Sequence, residues 1–198
     1  MSSDIRLILE IIPSGKGLAL DLGGGGGALR YPLVKLGYQY LNLDLRFHQN
    51  GEPSLLADAH ALPFKSGTFD LVVSKDTLEH FQQPWIAVKE VHDVLNQGGL
   101  FILWVPFMHG FHGNDLYRYT PLGLQYLLSD FEIVLLESPL CVFTVVGSVF
   151  IAALTRISLG FLERPLRRVF CYMDECFFRL KNHPSSIAAG YRLIARKK

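Results

Sequence analysis

Short apolar runs closed by turn residues alternate along the chain with longer stretches whose apolar positions recur every three or four residues. The runs are "GLALDLG", "YQYLNLDLR", "SLLADA", "TFDLVVSKD", "LFILWVPF", "EIVLLESPL" and "AAGYRLIARKK". Each predicts a strand, seven in all. "LFILWVPF" is apolar nearly throughout, as a strand covered on both faces must be. Three stretches between them predict helices. "GALRYPLVKLG" has Pro32 near its start and Gly37 at its end. "QPWIAVKEVHDVLNQGG" opens with Pro84, sets Trp85, Val88, Val91 and Leu95 on one face, and closes at Gly98. "TPLGLQYLLSDF" opens with Thr120 as N-cap and Pro121 in the first turn. Strands alternating with helices specify an α/β fold, a doubly wound, mostly parallel sheet of Rossmann-like type.

Five consecutive glycines, Gly23 to Gly27, follow the first strand. Such a run is entropically costly unless the backbone must bend sharply and approach a ligand closely. A helix N-terminus directly behind the turn would aim its N–H groups at that ligand. The spacing Gly23-x-Gly25-x-x-Ala28 also satisfies the dinucleotide pattern, as this run would satisfy almost any glycine pattern. Asp21, two residues before the turn, discriminates. A carboxylate there repels a pyrophosphate and attracts an ammonium group, such as the α-ammonium of S-adenosylmethionine. Asp44 ends the second strand, where an acidic side chain accepts from ribose hydroxyls of either cofactor.

Composition adds three bounds. With 49% hydrophobic and 19% charged residues in 198, the chain suits one globular domain over residues 1–198. Its N-terminus carries Asp4, Arg6 and Glu10 and reads as no secretory signal. Cys141, Cys171 and Cys176 lack zinc spacing and read as reduced thiols, which predicts a cytoplasmic location. The net charge of +1 conceals an asymmetry. Residues 1–155 hold 9 basic and 15 acidic side chains (net −6), whereas 156–198 hold 10 and 3 (net +7). An acidic cofactor half without a basic-aromatic groove argues against nucleic acid as substrate. The basic end suits either solvent or an anionic surface.

Four segments, in order, resemble the class I S-adenosylmethionine-dependent methyltransferases, especially the type 11 branch that includes ubiquinone and menaquinone biosynthesis enzymes. They are "ALDLGGGGG", "YLNLDLR", "ADAHALPFKSGTFDLVVSKDTLEHF" and "EVHDVLNQGGLFIL", within Leu18 to Phe107. The resemblance implies S-adenosyl-L-methionine as cofactor, with Asp21 and the turn at Gly23, Gly24 and Gly25 at its methionine end. It implies Asp44 at the ribose, Leu45 beside the adenine, Asp58 accepting from the adenine amino group, and Ala59 lining that pocket. Ser74 would contribute backbone near the methyl group. A turn-capping role for Asp58 stays open. Gly24 and Gly26 replace the small polar residues usual between the motif's glycines.

Methyl transfer asks the protein to align an acceptor and, for a hydroxyl, to remove its proton. "KDTLEHF" offers Lys75, Asp76, Glu79 and His80 to that cleft, with His80 as base. "PFMHGFHGNDLYRYTP" gathers His109, His112, Asp115, Tyr117, Arg118 and Tyr119, with His112 as second catalytic candidate. This loop resembles a segment of methyltransferases encoded with bacterial cell-surface polysaccharide enzymes. The expected acceptor is a small molecule, a hydroxyl of a sugar or a lipid-linked glycan, with no metal. Carbon methylation of a quinone-like ring, a nicotinamide oxidoreductase and a non-catalytic cofactor-binding adaptor remain alternatives. A hydrophobic helical insertion, 140–186, separates the sixth and seventh strands where the family has a tight hairpin. Its uncharged run from Cys141 to Leu154 falls short of the ~20 residues a membrane span needs. A lid, a homodimer face and a peripheral membrane contact through 140–181 are the readings left.

Overall fold

A computed structural model describes residues 3–47, 55–110, 113–156, 159–178 and 186–198. The predicted strands form β1 (Leu18–Leu22), β2 (Gln39–Asp44), β3 (Leu55–Leu56), β4 (Phe69–Lys75), β5 (Leu95–Pro106), β6 (Phe131–Glu137) and β7 (Gly190–Lys197). They make one seven-stranded sheet in the order β3-β2-β1-β4-β5-β7-β6. β1 pairs in parallel with β2 and β4, and β4 with β5; β7 runs antiparallel to both β5 and β6. Strand order reverses at β1, so the crevice outside the carboxyl ends of β1 and β4 is the place where such sheets receive ligands.

Both faces of the sheet are covered, which is why its central strands lack polar alternation. On one face, Leu20, Val72 and Leu103 pack with Val88 and Val91 of α3 (Pro84–Val94) and Leu124 of α4 (Pro121–Leu127). On the other, Ala19, Leu71, Val73 and Ile102 pack with Leu7 and Ile8 of α1 (Ser3–Leu9) and Leu33 of α2 (Arg30–Lys35). Thr120 caps α4 as expected: its hydroxyl accepts from the Gly123 amide at 3.1 Å.

The boundaries differ from the sequence expectation in two places. α3 stops at Val94, and the chain enters β5 at Leu95, which pairs with Phe69 beyond a register irregularity. Gly98, with φ +76°, therefore kinks an early strand instead of closing the helix. Trp85 is 56% exposed, and the buried stripe of α3 is Pro84, Ala87, Val88, Val91 and Val94. Pro84 anchors the inward face, which turns its neighbour to solvent.

The insertion is a helical hairpin, α5 (Val142–Arg156) and α6 (Glu163–Phe178), joined through a short 3-10 turn at Gly160–Leu162. It leaves the sheet after β6 and returns into β7, at the edge that carries the carboxyl ends of the parallel strands. Two contacts lock its helices together. Gly147 lies against Phe170, where a Cβ would come within 2.3 Å of the ring. Asp174 of α6 is fully buried, and its carboxylate accepts from the amides of Cys141 (2.9 Å), Phe143 (3.0 Å) and Thr144 (2.8 Å). A side chain of one helix thus caps the N-terminus of the other. No helix among the described residues is long and apolar enough to cross a membrane.

Asp174→Ala is expected to destabilise the fold by about 2–4 kcal/mol, through a lost cap and buried amides left unpaired. Urea unfolding measures the loss, and limited proteolysis is expected to cut first within 139–187. A loss below about 1 kcal/mol would show that the cap is dispensable.

Candidate active site

At the end of β1 the backbone turns at Gly23, whose φ is +71° and whose amide donates to the Leu43 carbonyl at 2.8 Å. A Cβ on Gly24 would lie 2.4 Å from the Asp21 carboxylate and 2.5 Å from Asn42 Oδ1. The turn and the carboxylate occupy one space, and only a residue without a side chain fits between them. The Gly25 amide donates to Asp44 Oδ2 at 3.0 Å, and the Gly25 carbonyl accepts from Asn42 Nδ2 at 2.9 Å. The end of β2 thus holds the glycine turn from the side. α2 begins only at Arg30, past a further turn closed by Arg30 N–H to Gly27 C=O at 3.0 Å. The sequence expectation of a helix N-terminus directly behind the glycines is therefore corrected: side chains of β2 cradle the turn.

Asp21 is 2% exposed. Its Oδ2 accepts from the Tyr40 hydroxyl at 2.6 Å, and Arg30 sits over the Tyr40 ring at 5.5 Å. Burial pushes the Asp21 carboxyl up to about 6, with the Tyr40 hydrogen bond opposing, the Asp44 charge adding and Lys75 opposing. Ser74, on β4, is buried, and its hydroxyl has no hydrogen-bond partner among the described residues.

β4 leads into a second cluster. Asp76 takes φ +50°, unusual for a non-glycine residue, and turns the chain into a 3-10 turn at Leu78–His80. That turn holds the loop after β5. The Glu79 carbonyl accepts from the amides of Leu116 (2.8 Å) and Tyr117 (3.2 Å), and the Tyr119 hydroxyl donates to Leu78 C=O at 3.0 Å. The docking places His80 Nδ1 3.2 Å from Asp115 Oδ1 and 3.3 Å from the Asn114 carbonyl, while Arg118 pairs with Asp115 Oδ2 at 2.7 Å. Glu79 is 0% exposed; neither carboxylate oxygen has a hydrogen-bond partner among the described residues, and Oε1 lies 4.0 Å from His80 Nε2. Burial pushes its carboxyl up to about 7, with Asp76 and Asp115 adding. Single ligand atoms of Glu79, His80 and Asp115 fall within 4.8 Å of one another, beside the Arg118 guanidinium.

A family model described as a methyltransferase domain matches residues 20–103, the stretch that supplies the glycine turn, β2, β4 and the His80 turn. The match covers a little under half of the chain. The chain is 31% identical over 123 residues to an uncharacterized methyltransferase of Mycobacterium sp. (strain KMS), covering 56% of this chain and 48% of that one. It is 32% identical over 96 residues to the ubiquinone biosynthesis O-methyltransferase of Ruegeria pomeroyi, covering 42% and 38%. The chain thus spans about half the length, or less, of the relatives it matches. Its fold superposes on an S-adenosylmethionine-dependent methyltransferase from Mesorhizobium loti with a TM-score of 0.64, at 19% identity over 98% of each chain.

In this structure, Asp21, Gly23, Gly24, Gly25 and Asp44 come together at the crevice, with Ser74 at the neighbouring strand end. Leu45 follows at 64% exposure, an apolar side chain open for a planar ligand to cover. Ala59 is buried in the core. Asp58 makes the turn cap that the sequence left open: it accepts from the His60 amide at 2.9 Å and meets His60 Nδ1 at 2.6 Å, which holds its carboxyl below the usual range. His112 lies outside the described residues. Arg118 makes the salt bridge to Asp115. Sequence reading missed Tyr40 and Asn42, the supports of Asp21 and the glycine turn. Their signal was present: polar residues alternate with Leu41 and Leu43 inside a buried strand, on the face of Asp21.

The residues present fit S-adenosylmethionine. A buried carboxylate raised by its surroundings gains from a cation, and the Gly25 amide that a phosphate would need already serves Asp44. Asp21→Asn tests the electrostatics. A raised folded-state pKa means Asp21 stabilises only in acid: its contribution is present below its ordinary 3.8 and lost as pH rises through about 6. The variant is therefore expected to melt above wild type at pH 8, by up to about 3 kcal/mol in stability. The difference should vanish near pH 4, in thermal scans without cofactor, and the variant should lose affinity for S-adenosylmethionine. Equal melting at both pH values would show that Asp21 carries no burial penalty.

Proposed function

We propose that this methyltransferase moves a methyl group from S-adenosylmethionine to a hydroxyl oxygen of a small-molecule acceptor, with His80 as general base. The observation that carries the cofactor assignment is the pair of carboxylates at the glycine turn. Asp21 is buried against Gly24, and Asp44 occupies the Gly25 amide. The carboxylate of Asp21 disfavours a diphosphate and favours an ammonium group, while Asp44 suits the ribose of either cofactor. S-adenosylmethionine, when bound, supplies an electrophilic methyl carbon on a positively charged sulfur.

Asp21 would hold the ammonium group, and Asp44 the ribose. Gly23 to Gly25 let the backbone come close, and Leu45 gives the adenine an apolar wall. On the acceptor side, His80 Nδ1–H would donate to the Asn114 carbonyl, with the Asp115 carboxylate beside it at 3.2 Å, which would fix the tautomer and leave Nε2 to take the hydroxyl proton. Arg118 balances the charge of Asp115, so that the dyad does not gather excess negative charge. Buried Glu79 beside Nε2 favours the imidazolium that forms. The name of the Ruegeria pomeroyi relative, an O-methyltransferase, supports an oxygen acceptor.

Binding and turnover test this reading. Calorimetry is expected to show S-adenosylmethionine binding and none for a nicotinamide dinucleotide; the reverse outcome overturns the assignment. With methyl-labelled cofactor and a panel of hydroxylated sugars, glycolipids and phenols, mass spectrometry locates the transferred methyl. On the acceptor so found, His80→Asn is expected to lower kcat about 100-fold or more while cofactor affinity stays within about twofold. Chelators should leave the rate unchanged. Full turnover by His80→Asn, or methyl on carbon, removes His80 as the base of an O-methylation.

A further inference from the structure

The α5–α6 hairpin is locked internally by Asp174 and Gly147, yet much of its outer surface is apolar. Val146, Val149 and Phe150, at spacing i, i+3, i+4 on α5, are all exposed, as are Val169, Tyr172 and Phe177 of α6. At the tip, Phe161 is 74% exposed. Isolated surface hydrophobics are ordinary, but a helix whose solvent side carries no charge before Arg156 is not.

Charge at the tip is one-sided: between Arg156 and Arg168 there are four arginines, Arg156, Arg164, Arg167 and Arg168, and one acidic residue, Glu163, while Asp174 and Glu175 lie farther along α6. Glu163 pairs with Arg167 at 3.1 Å. Among the described residues, no carboxylate pairs with Arg156, Arg164 or Arg168. All of these flank the tip. Residues 1–155 carry a net −6, whereas residues 156–168 at the tip carry +3.

We propose that the hairpin tip docks this protein onto an anionic phospholipid surface, with Phe161 entering the headgroup region and Arg156, Arg164 and Arg168 against the lipid phosphates. Aromatic and aliphatic side chains rimmed by arginine suit the bilayer interface, where apolar burial and attraction to anionic headgroups act together. The acidic body is repelled from the same surface, which sets the orientation. A second copy fits this face less well, because a two-fold contact would bring the same arginines together. The hairpin leaves the sheet at the edge that carries the glycine turn, so docking would bring the acceptor site near lipid. This last step rests on the proposed methyl transfer and suits an acceptor carried on a lipid anchor.

Flotation of the full chain with vesicles tests the proposal. Vesicles of phosphatidylcholine with about one-third phosphatidylglycerol are expected to carry the protein at low salt, and to release it at about 0.5 M salt, where the screening length falls to a few Å. Phosphatidylcholine alone should not. The double variant R164E/R168E should bind the anionic vesicles at least about twentyfold more weakly, at about fivefold per charge. Phe161→Ser should weaken binding to the anionic vesicles at low salt, with melting temperatures unchanged in all variants. No binding to the anionic vesicles at low salt overturns the inference, as does a concentration-dependent dimer in light scattering that Phe150→Ser disperses. Cofactor affinity is measured on the same samples. Loss of vesicle binding with cofactor binding intact removes the docking surface alone, and the converse removes the proposed cofactor alone.

Discussion

The constraint on which the glycine turn depends is the close approach of the Asp21 carboxylate to the backbone of Gly24. Neither group can move without disturbing the other, and the space between them admits no side chain. Around that contact, Tyr40 anchors the carboxylate, Asn42 holds the turn by its carbonyl, Asp44 holds it by its amide, and Thr77 closes in against Gly23. The carboxyl sits about two units above its ordinary value, which corresponds to about 3 kcal/mol against the charged form. The fold tolerates this because the large apolar faces on either side of the sheet supply the stability. An incoming cation finds a site already shaped and electrostatically unfinished.

The cluster around His80 is organised by backbone instead. Two amides reach one carbonyl at Glu79, and a tyrosine hydroxyl reaches the next carbonyl back. These bonds bring a segment from beyond β5 onto the turn after β4, and so set Asp115 beside His80 although 35 positions separate them in the chain. Asp115 then lies between His80 and Arg118, whereas the Glu79 carboxyl stays dry, without a hydrogen bond among the described residues, and burial favours its neutral form.

Much of this was legible in the chain. The strands read directly because buried parallel strands are continuously apolar, and the glycine turn read directly because five glycines have few other uses. Asp21 and Asp44 followed from their places at strand ends. What could not be read were relations between distant segments. Asp174 gives no local sign that it caps a helix about thirty residues earlier, and Glu79 gives none that its carboxylate ends in a dry pocket. The early start of β5 was hidden because "LNQGG" resembles a helix end in composition; only pairing of Leu95 with Phe69 decides it. Trp85 misled because its size suggests burial, whereas the proline before it set the helix's inward face.

The position of β7 has a consequence for how the chain folds. It lies between β5 and β6, antiparallel to both, and it is made after the whole helical hairpin. Until it arrives, two hydrophobic strands stand with open edges facing a gap one strand wide. Such a gap is a template for any passing extended segment, including one from another molecule. Closing it joins residues far apart in the chain, a slow step. A hairpin clamped by Asp174 and seated on α1 through Cys171 and Glu175 would hold the returning chain near its slot, so the insertion would serve assembly as well as whatever its outer surface meets.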